Sequence, residues 1–70
     1  MLRELSVEEI RSLRTTNSEL NEAATELADE LESGGKVKVK EKITSNYHSF
    51  VVYRYDKSLY RYTVVGQYFI

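Results

Sequence analysis

Residues 5–35 read LSVEEIRSLRTTNSELNEAATELADELESGG, and this stretch decides the fold. Ser6 and Glu9 have the spacing of a capping box, in which each side chain accepts a hydrogen bond from the other residue's backbone N–H. Leu5 and Ile10 flank that pair at the two positions of a hydrophobic staple. Together, the two signals predict that a helix begins immediately after the serine.

Apolar residues continue from this start at alternating spacings of three and four, which is the a/d seam of an amphipathic helix. Gly34 and Gly35 follow the seam, and glycine is typical of the position just beyond a helix C-terminus. We therefore predict one long N-terminal amphipathic helix over about 7–33. The seam positions are occupied by Ile10, Leu13, Asn17, Leu20, Ala24, Leu27 and Leu31.

Residues 15–18, Thr-Thr-Asn-Ser, are the weak point of this helix, because all four are poor helix formers and good caps. Two helices, over about 7–14 and 18–33, therefore stay open as an alternative. We favour the continuous helix because the seam keeps its phase across the weak point. Asn17 would then be a polar residue in an apolar seam, a device that fixes the register of packing.

The second half of the chain has the composition of β-strands. Over about 36–44, valine and isoleucine alternate with four lysines, which is the pattern of a strand with one apolar face. β-Branched and aromatic residues fill about 47–55 and 59–66, and short polar turns separate the three strands. We predict a single α+β domain over residues 1–70, with the order α-β-β-β and a three-stranded antiparallel β-meander.

The predicted sheet has more apolar surface than one helix can cover, because its second and third strands carry large apolar residues on both faces. Surplus apolar surface of this kind usually marks an interface. We therefore predict a homodimer. Its two copies would meet through their sheets, face to face or edge to edge, or through their helix seams.

Composition excludes several classes of function. The chain has no cysteine and one histidine, so thiolate and histidine-rich metal sites are excluded, and we predict no metal and no cofactor. His48 has no nucleophile or second histidine at a useful spacing, so we expect a protein that is not an enzyme. The N-terminus has no apolar signal segment, and no stretch is long enough to span a membrane, so we expect a cytoplasmic location.

The carboxylates are the leading candidate for a binding surface. Residues 1–33 hold nine acids and three arginines, a net charge of −6, whereas residues 34–70 hold seven basic residues and two acids, a net charge of +5. On the predicted helix, neighbouring carboxylates lie about 5–6 Å apart on the solvent side, similar to the phosphates of one nucleic-acid strand. Six of them stand between residues 15 and 33 without any basic residue: Glu19, Glu22, Glu26, Asp29, Glu30 and Glu32.

This row supports the hypothesis of an inhibitor that mimics DNA phosphates and occupies the DNA-binding surface of a basic protein, such as a nucleoid protein. The plain interpretation is a solvated face that keeps the protein soluble. An alternative function uses the sheet, where lysines and tyrosines suit single-stranded nucleic acid, although no RNP-like or KH-like motif is present. A plain dimerisation module is the third hypothesis. The basic residues of the sheet are Lys36, Lys38, Lys40, Lys42, Arg54 and Arg61.

In its size, its lack of cysteine and proline, its helix-plus-sheet layout and its acidic segment Glu19–Glu32, the chain resembles small phage-encoded inhibitors that mimic DNA. These host-takeover proteins include inhibitors of the bacterial nucleoid protein HU, and some anti-CRISPR proteins are similar. The resemblance implies a dimer whose negative surface occupies the DNA-binding site of its partner.

Overall fold

The computed structural model describes all 70 residues. Its elements are β1 Leu2–Glu4, α1 Val7–Arg11, α2 Ser18–Glu32, β2 Val37–Ile43, β3 His48–Asp56 and β4 Arg61–Phe69. The strands form one antiparallel sheet in the order β1-β2-β3-β4, with both helices in the connection between the first two strands. The α+β class is confirmed. Neither helix has the length and apolar composition that crossing a bilayer requires.

The prediction of one continuous helix over 7–33 is wrong, because the chain leaves helical geometry after α1 and re-enters it at α2. Asn17 caps the second helix by accepting a hydrogen bond from the N–H of Leu20 at 3.1 Å. The Asn21 side chain accepts from the N–H of Thr15 at 2.9 Å and donates to its carbonyl at 2.8 Å. Such local bonds compete with the helical ladder and fix a turn here. Asn17 therefore starts a helix and does not set the register of a longer one.

The prediction of three strands is also wrong, because β1 adds a fourth strand at the edge of the sheet. It pairs antiparallel with β2, and Leu2 lies opposite Lys42. A strand of only three residues has no periodic pattern, so its pairing becomes visible only when β2 is in place. The other strands lie close to the predicted ranges, although β4 continues to Phe69, beyond the predicted end near 66.

The core lies between the two helices and the central strands. Ile10, Leu20 and Leu27 of the predicted seam are buried in it, and Leu13 and Leu31 pack at its margin. Because the seam faces the sheet, it is not available for a dimer through the helices. The buried apolar cluster comprises Leu5, Ile10, Leu20, Ala24, Leu27, Ala28, Val37, Val39, Phe50 and Val52.

The outer strand β4 departs from a regular ladder at one point. Val52 pairs with Gly66 and Tyr53 pairs with Val64, so Val65 is an extra residue in a β-bulge. On its other side β4 has no strand partner. The sheet therefore ends in a short edge strand, β1, and a long edge strand of nine residues, β4.

Candidate binding surfaces

The sheet face turned away from the helices is open and carries the lysines of β2. Val37 and Val39 belong to the core under the helices, and side chains alternate between the two faces of a strand. Lys38, Lys40 and Lys42 therefore point to the open face, where they are half-buried among neighbouring side chains. The alternation of apolar residues with lysines in the sequence predicts this placement of the lysines.

Each of these lysines, and the one immediately before β2, lies over a tyrosine ring. The distances from Nζ to the ring centroid range from 4.4 to 5.9 Å, within reach of a cation–π contact. We call this surface, with its four ammonium groups and their rings, the Lys–Tyr face. The pairs are Lys36–Tyr55, Lys38–Tyr62, Lys40–Tyr53 and Lys42–Tyr47.

The centre of the Lys–Tyr face is packed, although no helix covers it. The register places Lys40, Val51 and Gln67 side by side across three strands, and Val51 is only 4% exposed. The Gln67 Nε2 donates a hydrogen bond to Oγ of the buried Ser49 at 3.0 Å. Packed and hydrogen-bonded side chains of the sheet therefore support the ammonium groups and the rings.

Three of the six predicted partner-binding carboxylates are bound to arginines of the same chain. Arg11 on α1 lies 3.0 Å from Asp29 and also contacts Glu32. Arg54 on β3 donates hydrogen bonds of 2.5 and 2.9 Å to Glu30, and these bonds hold the pKa of the Glu30 carboxyl below its usual value. Half of the acidic row therefore serves to attach α2 to α1 and to the sheet.

The other three carboxylates belong to Glu19, Glu22 and Glu26, which are exposed and form no ion pair within the chain. Their spacings of three and four place them in one strip along α2. We call these three residues the free acidic strip. It lies on the helix layer, whereas the Lys–Tyr face lies on the far side of the sheet, so the two charged surfaces look in different directions.

A groove of about 360 Å³ runs between α2 and β4. Ala23 and Leu27 form its wall on the helix, and Val52, Val65 and Tyr68 contribute apolar surface from the sheet. The groove exists because the helices cover the middle of the sheet and Gly66 adds no side chain on β4. Glu26, Glu30 and Arg54 complete the lining, so the groove combines apolar and charged side chains.

The single histidine belongs to a chain of polar side-chain contacts. Oε2 of Glu41 lies 2.7 Å from Nε2 of His48, and Oε1 of Glu41 accepts a hydrogen bond from Arg3 at 3.1 Å. Arg3 also contacts Glu9, and its hydrogen bonds to Glu9 and then Glu41 raise the pKa of its guanidinium. These contacts join β1, α1 and the two central strands. No group of three or more His, Cys, Asp or Glu side chains is arranged to hold a metal ion.

Comparison of the chain with protein-family models, with curated proteins and with solved structures finds no match. The geometry of these surfaces is therefore the basis for proposing a function.

Proposed function

We propose that the protein is a non-enzymatic binding protein that takes single-stranded nucleic acid on its Lys–Tyr face. The four ammonium–ring pairs on an open, packed sheet are the observation that supports this. Alternate residues of a strand lie about 6.6 Å apart, so successive lysines of β2 have a spacing close to that of successive phosphates in an extended strand. Other four-stranded sheets bind RNA by stacking bases on aromatic residues of an open face.

Binding would proceed by an exchange of partners at each ring. An exposed cation–π contact is worth about 0.5–1 kcal/mol, whereas stacking of a base on an aromatic side chain is worth about 1–3 kcal/mol. A phosphate that binds the ammonium group and displaces it therefore exposes the ring. A base that then stacks on this ring gains more free energy than the cation–π contact had supplied. This mechanism needs unstacked bases, so it favours single strands over duplexes.

The test is fluorescence anisotropy with a labelled single-stranded oligonucleotide of about 12 nucleotides, and with the same sequence as a duplex. At low salt we expect saturable binding of the single strand and at least tenfold weaker binding of the duplex. Tyrosine fluorescence should fall during the titration, because bases stack on the rings. Equal affinity for the two forms, or no binding at low salt, would contradict the proposal.

A second candidate function is the mimicry of DNA phosphates by the free acidic strip. Glu19, Glu22 and Glu26 support it, because they are the carboxylates of α2 without a partner in the chain. Their partner would be a basic DNA-binding protein such as a nucleoid protein. Three charges make a smaller footprint than the six that the sequence suggested, so we rank this function second. Either function would place the protein in the cytoplasm.

Mimicry predicts that the protein displaces duplex DNA from the purified nucleoid protein HU at low salt. Glu19→Lys/Glu22→Lys should lower the inhibitory potency at least tenfold, because the reversed charges repel the basic partner. Glu8→Lys, on an exposed acid of α1, is the control and should change the potency much less. If the double variant still displaced DNA as well as the unmodified protein, the acidic strip would have no role in binding.

A further inference from the structure

The outer edge of β4 has free backbone hydrogen-bonding groups. The N–H of Ile70 donates to the carbonyl of His48 on β3, and in an antiparallel pair the direction of these groups alternates along the strand. The N–H and carbonyl of Gln67 therefore point away from β3, to the free edge. The Phe69 carbonyl also points there and accepts a hydrogen bond from the Asn17 side chain at 3.0 Å. Most of this long edge is thus open to another strand.

The same edge carries exposed apolar side chains on both of its faces. Val64 is 57% exposed on the Lys–Tyr face, and Val65 is 55% exposed beside the groove. A long, exposed and apolar edge is a template for pairing with another chain. The opposite edge of the sheet, β1, is too short to serve in this way.

The bulge gives β4 a register that suits pairing with a copy of itself. Arg61 lies opposite Asp56, and Thr63 lies opposite Arg54, which points to the helix side and binds Glu30. Directly opposed residues share a face, so Arg61 and Thr63 point to the helix side. Tyr68 lies there too, because it packs against the core. If two β4 strands pair antiparallel with Arg61 of one copy opposite Tyr68 of the other, the helices of both copies lie on the same side of the joined sheet.

Charge complementarity favours the same arrangement. Glu19, Ala23, Glu26 and Glu30 follow one another at spacings of four, three and four, so they lie along one side of α2. Ala23 lines the groove, so this is the side that faces β4. Arg61 of a second copy, placed opposite Tyr68, would reach toward this row of carboxylates. The two-fold symmetry would make the contact twice.

We propose that two copies of this chain associate through their β4 strands, antiparallel and about a two-fold axis, into one continuous sheet. The interface is isologous, as in most homodimers. The observations that carry it are the open edge, the bulge-shifted register and the complementary charges at Arg61 and on α2. It does not depend on nucleic-acid binding, although it would align the two Lys–Tyr faces side by side.

The first test is the molar mass in solution, measured by light scattering and by sedimentation at tens of micromolar protein. Gln67→Pro removes the backbone donor at the free edge and leaves the backbone hydrogen bonds between β4 and β3, so we expect a monomer. Gln67→Ala loses the same side chain but keeps the N–H, so it should remain a dimer. A monomeric wild type would show that the bulge alone protects the edge and would overturn the proposal, as would a Gln67→Pro variant that dimerises normally.

Variants of exposed side chains keep the proposal testable if the proline disturbs the fold. Val65→Lys should weaken dimerisation at least tenfold, whereas Leu59→Lys, at a similarly exposed residue of the β3–β4 turn, should not. Arg61→Glu and Glu19→Arg should each weaken the dimer by about fivefold, and their combination should restore it. If the combined variant were weaker than both single ones, the assigned charge contact would be wrong. Monomeric variants that still bind single strands would separate this inference from the proposed function.

Discussion

Leu20→Asp is expected to leave the chain largely unfolded. Leu20 is fully buried between α2 and the sheet, in a core made of aliphatic and aromatic side chains. Truncating a buried leucine to alanine already costs about 2–5 kcal/mol, and an unpaired carboxylate adds a large desolvation cost. Small domains have a total stability of about 5 kcal/mol or little more, so the substitution removes most or all of it. Far-UV circular dichroism and urea denaturation would measure the loss.

Thr25→Asp is the matched control, because Thr25 lies on the exposed side of the same helix. It adds the same charge to α2 without entering the core, and we expect a loss below about 1 kcal/mol. A Leu20→Asp protein that kept a cooperative unfolding transition of normal midpoint would contradict the packing of α2 on the sheet. Comparing the two variants thus separates the loss of stability caused by burying a charge from the loss caused by helix propensity or net charge.

The course of the N-terminal half was only partly predictable from its sequence. The capping box of Ser6 and Glu9 is present, because a cap depends on residues three positions apart. The seam keeps its phase across residues 15–18 because α1 and α2 both turn their apolar residues to one sheet, so that two helices mimic one periodic helix. The bonds between Thr15 and Asn21 that break the helix depend on a turn already formed.

The candidate surfaces were also predictable only in part, because some of their features follow from local sequence spacing and others from contacts between distant elements. The lysines of β2 could be placed on one face from alternation alone, but Tyr62 lies under Lys38 only because of the register of β4. The six carboxylates of α2 look equivalent in the sequence. Arg11 and Arg54 distinguish them, and these arginines come from other elements of the fold, 18 to 24 residues away from the acids they bind. No helical spacing rule can reveal such partners.

Lys38→Glu/Lys40→Glu is expected to weaken single-strand binding by on the order of 100-fold at low salt, because it turns two phosphate contacts into two repulsions. The salt dependence provides a second, independent readout. If all four lysines of the Lys–Tyr face contact phosphates, the slope of log K against log salt for the wild type should be about −3, and for the variant nearer −1. Anisotropy titrations at several salt concentrations would measure both quantities.

Arg14→Glu/Lys57→Glu is the control for this prediction, since it changes the net charge equally at exposed residues of the α1–α2 connection and the β3–β4 turn. We expect this variant to lose only a few-fold in affinity, because its charges act at a distance and are screened. If the two double variants weakened binding equally, overall charge would explain the interaction and the Lys–Tyr face would not be the site. If only Lys38→Glu/Lys40→Glu lost affinity while keeping its circular dichroism spectrum, the ammonium groups above the rings would be the phosphate contacts.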